Sequence, residues 1–387
     1  MQIADRISRL GVEGAFAVLQ QARALEAQGK HVVHLEIGEP DFPTPQHIVE
    51  AGRQALQDGW THYGPTMGLP ELRGAVAGRL ASTHGLHNVS PARIGVMPGA
   101  KPALFFAMMA VLEKGDEVIY PDPGFPIYSS MVRFLEAVPK PIPLLESRGF
   151  SFDIDRLRDS ISDRTRMLIV NSPHNPTGGV IPADDIRAIA DLVRGRNITV
   201  VSDEIYATIC FGEAPLSIAS LEGMDQQTVI VDGFSKSHAM TGWRLGYGVY
   251  PDHLVDAIGK LVVNSNSCTA SFTQKAGVAA IEGPQGDCDA MVAEFRKRRD
   301  YFCGALNAIP GFKCEVPMGA FYAFPNVAAT GRGSAELAQG LLTEAGVACL
   351  AGDAFGGYGA GFLRFSLANS LENLKLAAER IGAFLRK

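Results

Sequence analysis

Residues 166–204 read RMLIVNSPHNPTGGVIPADDIRAIADLVRGRNITVVSDE, and this stretch decides the fold class. Its two β-rich runs, Arg166–Asn171 and Ile198–Ser202, are apolar without alternation, as expected of strands that are buried on both faces. Between them, Pro182–Gly195 begins with a proline, carries two aspartates in its first turn and has one apolar stripe, which predicts a helix. A strand, a helix and a second strand in this order predict parallel strands covered by a helix.

The same alternation extends to both sides of this stretch. With helix-like segments between them, further β-rich runs lie at Arg93–Met97, Glu117–Tyr120, Thr228–Asp232 and Arg244–Tyr250. They predict an α/β fold whose large domain has three layers, an open, mostly parallel sheet with helices on both faces. After residue 251, long helical stretches lead to short β-rich runs at Phe321–Phe324 and Phe362–Leu367, a pattern that predicts a smaller α+β domain.

Length, charge and cysteines narrow the function classes. The 387 residues exceed the roughly 250–300 at which one hydrophobic core stops growing, so two domains are expected. The formal net charge of −6 argues against a nucleic-acid binder or an anionic-membrane binder. The six cysteines form no CxxC pair, so neither a disulfide framework nor a thiolate metal site is predicted, and a reducing compartment is favoured.

The N-terminus and the hydropathy predict a cytoplasmic protein. Asp5 and Glu13 interrupt the only N-terminal stretch that resembles the apolar core of a signal peptide. The longest apolar run, Ala103–Leu112, is about half of the ~20 residues that span a bilayer. It predicts a buried helix.

Polar residues directly after the predicted strands are the first candidates for a site, since ligands of open α/β sheets bind beyond the carboxyl ends of the strands. Gly99, Ala100 and Lys101 follow the first strand of the sheet and open a helix. This favours an anion site at the helix N-terminus, although a plain turn would look the same. After the strand at 166–171, two prolines and a glycine fix a loop that would hold the amide of Asn175, and Asn-Pro is also a common turn signal.

Three further candidates carry a charge or a phenol. Asp203 ends a buried strand, where a carboxylate needs a cation or several hydrogen-bond donors, and Tyr206 follows three residues later. A helix cap is the alternative for Asp203. Arg364 lies among apolar residues of a predicted strand, where its planar fork would match a carboxylate, and an internal salt bridge is the alternative.

Ser235 and Lys236 lie just beyond the run Thr228–Asp232, and Arg244 follows a few residues later. A lysine that is partly desolvated at a sheet edge near another cation has a lowered pKa and becomes a nucleophile toward aldehydes. Together the candidates supply an anion cradle, a carboxylate, a phenol, a nucleophilic amine and an arginine for a carboxylate. These are the requirements of pyridoxal 5′-phosphate acting on an amino acid.

Several motifs are shared, in order, with a known family. They are GEPDFPTP at 38–45, YGPTMGLPELR at 63–73, NPTG at 175–178, DEIY at 203–206, SK at 235–236, MTGWR at 240–244 and RFSLAN at 364–369. On these motifs the chain resembles, nearly end to end, the class I and II aminotransferases of pyridoxal phosphate fold type I. With the change of pattern near residue 284, the resemblance implies a large cofactor-binding domain at 46–284 and a small domain formed by 1–45 and 285–387.

The resemblance also implies roles around the cofactor ring. Lys236 would form the Schiff base with pyridoxal 5′-phosphate and act as general base, and Asp203 would hold the pyridinium nitrogen protonated. Tyr206 and Asn175 would hydrogen-bond the phenolate oxygen, and Phe125 would stack on the ring. Many relatives have tyrosine or tryptophan at the position of Phe125, so the hydrogen-bonding hydroxyl or indole N–H of those relatives is missing here.

The remaining implied contacts involve the phosphate, a partner and the substrate. The phosphate would lie against Gly99, Ala100, Lys101, Ser235 and Arg244. Tyr63 would reach it from a neighbouring subunit, which implies a homodimer with a shared active site. Arg364, helped by Asn175 and by the backbone near Gly38, would bind the substrate α-carboxylate.

The implied reaction is ping-pong transamination, in which an amino acid leaves its amino group on the cofactor and a 2-oxo acid collects it. Glutamate and 2-oxoglutarate are expected as one pair, with aspartate, alanine or an aromatic amino acid for the other. In some relatives a lysine at the position of Lys101 reads a distal carboxylate, so this side chain is either such a reader or simply solvated. No metal, nucleic acid or membrane is expected to take part.

Other functions remain as alternatives. A carbon-sulfur β-lyase on the same fold would use the same lysine and arginine to eliminate instead of transferring nitrogen. A non-catalytic ligand-sensing module is disfavoured by the complete set Lys236, Asp203, Arg244 and Arg364. A nicotinamide dehydrogenase is disfavoured because no GxGxxG motif follows an early strand.

Overall fold

The structure is a computed structural model that describes residues 3–386, within which the chain forms twelve α-helices and thirteen β-strands. The helices are α1 Gly14–Glu26, α2 Gln46–Gln57, α3 Pro70–His84, α4 Ala100–Val111, α5 Ile127–Phe134, α6 Ile154–Ser160, α7 Ala183–Val193, α8 Asp252–Ser265, α9 Ser271–Glu282, α10 Gly286–Asn307, α11 Ser334–Gly340 and α12 Leu371–Leu385. The strands are β1 Val33–His34, β2 Ile94–Met97, β3 Glu117–Asp122, β4 Val138–Leu145, β5 Ser151–Phe152, β6 Thr165–Asn171, β7 Thr199–Asp203, β8 Thr228–Gly233, β9 Gly246–Val249, β10 Tyr322–Ala323, β11 Val347–Ala348, β12 Leu350–Ala351 and β13 Leu363–Ser366.

The largest sheet has eight strands in the order β2-β9-β8-β7-β6-β3-β4-β5. Its centre is parallel, because β4, β3, β6, β7 and β8 pair side by side in the same direction. Strand β9 runs antiparallel to both β8 and β2, and β5 runs antiparallel to β4. Every residue of β2, β3, β8 and β9 is buried, as expected of strands covered on both faces. The predicted α/β fold with a mostly parallel sheet is confirmed.

The sequence analysis did not predict β4 and β5. Strand β4 carries Pro139, Pro141 and Pro143, and proline lacks the N–H that a strand donates to its neighbour. The N–H of Val138 donates to the carbonyl oxygen of Asp116 on the β3 side, so the alternating prolines place their missing donors on the opposite side. That side meets β5 only at Leu144 and Leu145, which is why the prolines are tolerated there.

Other boundaries differ by a few residues. The strand expected at Arg244–Tyr250 begins only at Gly246, because Arg244 has a left-handed backbone with φ of 54°. The apolar run expected to form a buried helix lies in α4. None of the helices between residues 3 and 386 combines the length and the hydropathy that a bilayer-spanning segment requires.

Two smaller sheets join segments that are distant in the sequence. Strand β1, near the N-terminus, pairs in parallel with β11, so that Val33 lies opposite Val347. Strands β10, β13 and β12 form an antiparallel sheet that packs with α10 and α12 around a separate apolar core. The division into residues 46–284 and residues 1–45 with 285–387 stays a prediction.

The carboxyl ends of β6, β7, β8 and β2 lie at one edge of the large sheet, and the amino end of β9 lies between those of β8 and β2. Asn171 of β6 is in register with Asp203 of β7, and Asp203 is in register with Val231 of β8. Gly246 of β9 lies between Gly233 of β8 and Met97 of β2. The residues that follow β2, β6, β7 and β8 in the sequence, and those that precede β9, are therefore neighbours in space.

Candidate active site

A cavity of about 560 Å³ opens at this edge of the sheet. It brings together eleven of the predicted site residues: Gly38, Ala100, Lys101, Phe125, Asn175, Asp203, Tyr206, Ser235, Lys236, Arg244 and Arg364. Gly99 caps α4 beside Ala100. Tyr63 does not line this cavity and is 90% exposed. Within residues 3–386 no group of three or more His, Cys, Asp or Glu side chains is placed to hold a metal ion.

One end of the cavity combines a helix N-terminus with an arginine. Gly99 has φ of 96°, and a Cβ there would lie 2.3 Å from Nη2 of Arg244, so only glycine lets the guanidinium approach the start of α4. Arg244 Nη1 donates to the carbonyl oxygen of Thr241 at 2.8 Å, which fixes the side chain. The buried Ser235 lines the same cavity. A helix N-terminus and a fixed cation together favour an anion.

Asp203 presents a buried carboxylate without a cation. It is 7% exposed; its Oδ2 accepts a 2.7 Å hydrogen bond from the hydroxyl of Tyr128. Within the described residues no cationic side chain forms an ion pair with it, and the nearby charged groups, Asp232 and Glu204, are acidic. Burial raises the pKa of Asp203 to about 6 from its usual 3.8. The alternative of a helix cap is wrong, because β7 is followed by turns and not by a helix.

Lys236 faces the same cavity from the loop after β8. Its Nζ donates a 2.5 Å hydrogen bond to the carbonyl oxygen of Gly38. Desolvation lowers the pKa of Lys236 to about 8 from its usual 10.5, and Arg364 is among the positive charges that lower it further. A substantial fraction of this amine is therefore neutral near pH 8, as a nucleophile requires.

Arg364 is buried and its guanidinium packs against two aromatic rings. Its guanidinium carbon lies 4.5 Å from the ring centroid of Tyr322 and 4.8 Å from that of Phe355. Nη1 donates to Oδ1 of Asn175 at 3.1 Å and Nη2 donates to the carbonyl oxygen of Glu36 at 2.5 Å, whereas Nε has no partner. No carboxylate within residues 3–386 forms an ion pair with it, so the alternative of an internal salt bridge is wrong. The fork is oriented and still able to bind an anion.

Hydrogen bonds tie the loops of the site to one another. Asn171 donates from Nδ2 to the carbonyl oxygen of Asp203 at 2.9 Å and accepts from the backbone N–H of Asn175 at 3.0 Å. The hydroxyls of Tyr206 and Tyr322 lie 2.7 Å apart. A Cβ on Gly38 would lie 2.1 Å from the Tyr322 hydroxyl, which explains glycine at that position.

Lys101 is not simply solvated. Its Nζ forms an ion pair with Glu13 and lies 5.3 Å from the ring centroid of Phe125. The Phe125 ring in turn meets Tyr128 edge-on at 5.9 Å between centroids. Glu13 also lines the cavity, so this ion pair is part of its wall.

Sequence reasoning missed Tyr128, Tyr322 and Glu13 as members of the site. Each contacts its partner across 75 to 116 residues of chain. Tyr128 stands three residues after Phe125, which was the only local signal for it. For Tyr63, the contact with a partner's phosphate site stays a prediction.

Comparison with known proteins identifies the family. The family model for aminotransferase class I and II matches residues 30–381. An aspartate aminotransferase of Geobacillus stearothermophilus is 39% identical, over 100% of this chain and 99% of that protein. An alanine aminotransferase from Pyrococcus furiosus has a TM-score of 0.94 at 32% identity and covers 100% of both chains. An aromatic aminotransferase from Pyrococcus horikoshii has a TM-score of 0.89 at 40% identity and covers 92% of this chain and 96% of that one.

The chain belongs to the class I and II aminotransferases. This membership confirms the predicted fold type I and the predicted reaction class, the transfer of an amino group between an amino acid and a 2-oxo acid. The family is pyridoxal phosphate-dependent. The relatives are named for three different amino acids, so membership alone does not select the substrate.

Proposed function

We propose that the cavity binds pyridoxal 5′-phosphate and uses it for ping-pong transamination. The observation that carries this proposal is that a buried carboxylate without a cation, Asp203, and a lysine of lowered pKa, Lys236, share one cavity with an anion cradle. The cofactor's ring nitrogen, aldehyde and phosphate match these three features. An uncompensated buried carboxylate is costly, and a protonated ring nitrogen would remove that cost.

The residues that would hold the cofactor surround the cavity. Lys236 would attach it covalently, Asp203 would face the ring nitrogen and Phe125 would pack on the ring. Tyr206 and Asn175 would hydrogen-bond the phenolate oxygen. The phosphate would bind the backbone of Gly99, Ala100 and Lys101 and the side chains of Ser235 and Arg244. When bound, pyridoxal 5′-phosphate supplies an aldehyde and an electron-withdrawing ring that stabilises negative charge at the substrate Cα.

The chain's own side chains would bind the substrate and move its proton. The fork of Arg364, which packs against Tyr322 and Phe355, would bind the α-carboxylate bidentately. The Lys236 amine, once free, would act as the general base that removes the proton from Cα. Tyr128 would keep Asp203 oriented and ionised through its hydrogen bond. Both half-reactions would use this set.

For the substrates, we propose glutamate and 2-oxoglutarate as one pair and aspartate, alanine or an aromatic amino acid for the other. The names of the relatives, aspartate, alanine and aromatic aminotransferases, support this range. A cytoplasmic location is part of the same proposal and rests on the cysteine pattern, which favours a reducing compartment.

A homodimer with a shared site completes the proposal. It is supported by Tyr63, whose side chain is 90% exposed and outside the cavity of its own chain. Sedimentation would report the dimer. Mixing a Tyr63→Ala chain with a Lys236→Ala chain is expected to restore activity, because one hybrid site would then combine an intact lysine with an intact tyrosine. Sedimentation as a dimer without any restored activity would contradict the shared site.

Borohydride reduction of the purified holoprotein tests the cofactor assignment. A pyridoxyl mass tag is expected on the peptide that contains Lys236. The control Lys297→Ala removes an exposed lysine, and its Lys236 peptide should carry the same tag. A tag elsewhere, or none, would refute the assignment. Adding an amino acid without an oxo acid then separates two reactions: a transaminase stops after one equivalent, whereas a carbon-sulfur lyase keeps releasing pyruvate and ammonia.

A further inference from the structure

The proposed mechanism leaves two acidic side chains of the cavity wall, Glu13 and Glu39, unused. Glu13 immediately precedes α1 and occupies its N-cap position, yet it makes no side-chain hydrogen bond to that helix. Its carboxylate forms an ion pair with Lys101 instead. The two side chains are 28% and 46% exposed, so the pair lies at the mouth of the cavity and is still reached by water.

The chain holds Glu13 in this place from both sides. Before it, Arg9 forms a 2.7 Å ion pair with Glu136, and the N–H of Gly11 donates to Oγ of Ser130 on α5 at 2.9 Å. After it, α1 packs against β11 and β12 of the small sheets. The segment therefore crosses the mouth of the cavity between two fixed points.

This wall is where the side chain of a substrate would lie. In the proposed function, the α-carboxylate of the substrate binds Arg364 and the substrate Cα lies near Lys236. The cofactor would bind at the edge of the sheet. The rest of the lining includes the apolar Phe16 and Ile37, the Glu13–Lys101 pair, and Glu39. The Glu39 carboxylate accepts a hydrogen bond from the Thr241 hydroxyl. Burial lowers the pKa of the Arg364 guanidinium, and the negative charge of Glu13 is among the groups that oppose this shift, so Glu13 and Arg364 are within electrostatic range.

We propose that Glu13 is a specificity-determining residue, which pairs with Lys101 and thereby weakens the preference of the cavity for dicarboxylic substrates, so that amino acids with uncharged side chains are accepted beside them. The inference rests on the proposed function and names the substrate class of that same site. An uncharged side chain packs against Phe16 and Ile37 with the ion pair intact. A second carboxylate has to displace Glu13 from Lys101 and then lies near a like charge.

Removal of the Glu13 charge gives the expected size of the effect. An ion pair as exposed as this one changes an equilibrium constant by a factor of about 2–5, and the loss of like-charge repulsion adds to it. Glu13→Gln keeps the length and hydrogen-bonding capacity of the side chain. We expect it to favour dicarboxylates by roughly 5- to 20-fold relative to monocarboxylates of the same length.

Binding of glutarate and pentanoate to the holoenzyme tests this expectation, because the two ligands have the same chain length and differ in one carboxylate. Calorimetry is expected to give a lower dissociation constant of glutarate for Glu13→Gln than for the wild type. The affinity for glutarate relative to pentanoate should rise by roughly 5- to 20-fold. In the double variant Glu13→Gln, Lys101→Gln the gain should vanish. The ratio of kcat/KM for glutamate over alanine should move with the binding ratio.

Two outcomes would overturn the inference. One is an unchanged glutarate-to-pentanoate ratio in Glu13→Gln, including an equal gain for both ligands, which would assign Glu13 a general repulsion. The other is a gain that persists in the double variant. Glu13→Ala removes the same charge without adding an amide, so it should change the ratio in the same direction. Circular dichroism serves as the folding control. If the wild type showed no transamination at all, the proposed function would fail, and the calorimetric comparison would still decide the role of Glu13.

Discussion

Asp203→Asn is expected to stabilise the cofactor-free protein while destroying its function. The carboxylate is buried at the end of β7, its one strong donor is Tyr128, and no cation pairs with it in the described part of the chain. Asparagine has nearly the same shape, stays neutral at every pH and can keep a hydrogen bond to the Tyr128 hydroxyl. The substitution therefore removes the buried charge and little else.

The size of the effect follows from the pKa of Asp203, about 6 in the folded chain against a usual 3.8. Because the folded state holds a proton that the unfolded state has lost, the free energy of unfolding falls as the pH rises from about 4 through 6. A tenfold difference in proton affinity between the two states corresponds to about 1.4 kcal/mol, so the raised pKa of Asp203 costs about 3 kcal/mol at pH 8 and about 1.5 kcal/mol at pH 5. The asparagine variant should recover these amounts.

Urea unfolding of cofactor-free wild type and Asp203→Asn at pH 5, 6.5 and 8 measures the prediction. Asp159→Asn, on the exposed face of α6, is the matched control and should change little. With pyridoxal 5′-phosphate added, the wild type should gain more stability than the variant, and kcat of the variant should fall by about 10²–10³-fold. A variant that is no more stable at pH 8 than the wild type, or a gain that does not grow with pH, would refute the reasoning.

Three other substitutions test the remaining parts of the site. Arg364→Lys should raise KM for every amino acid by about 10- to 100-fold, since a point charge replaces a stacked, bidentate fork, and an unchanged KM would move the carboxylate site elsewhere. Tyr128→Phe removes a hydrogen bond that lowers the pKa of Asp203, so kcat should fall about 10-fold and the acid limb of the pH–rate profile should move to higher pH; an unmoved limb would contradict this role. Lys236→Ala should abolish turnover with an unchanged circular dichroism spectrum, and steady-state transamination by that variant would overturn the assignment of Lys236.

The same side chains support the groups proposed to bind the substrate and the groups proposed to bind the cofactor. Tyr322 packs one face of Arg364 and also meets the hydroxyl of Tyr206 at 2.7 Å. Asn175 accepts a hydrogen bond from Arg364, and its backbone N–H is bound by Asn171, which also donates to the carbonyl oxygen of Asp203. A carboxylate bound at Arg364 would thus act on groups that are linked to the cofactor side of the cavity.

Much of the fold and of the site was readable from local sequence. Parallel strands buried on both faces produce continuous apolar runs, and the residues that follow such strands meet at one edge, so Asn175, Asp203 and Lys236 could be placed together from the sequence. Strand β4 could not be predicted from the sequence, because its prolines argue against a strand. They are tolerated since the side of β4 on which their missing N–H groups lie pairs with β5 at only two residues, which the sequence does not show.

Only the tertiary structure decided which distant side chains complete the site. Tyr128, Tyr322 and Glu13 reach their partners across 75, 116 and 88 residues, and nothing in their local sequence distinguishes them from core or surface residues. The pKa values of Asp203 and Lys236 were equally out of reach, because desolvation depends on everything that packs around a group. Local sequence sets which groups a strand end presents, and packing sets what surrounds them.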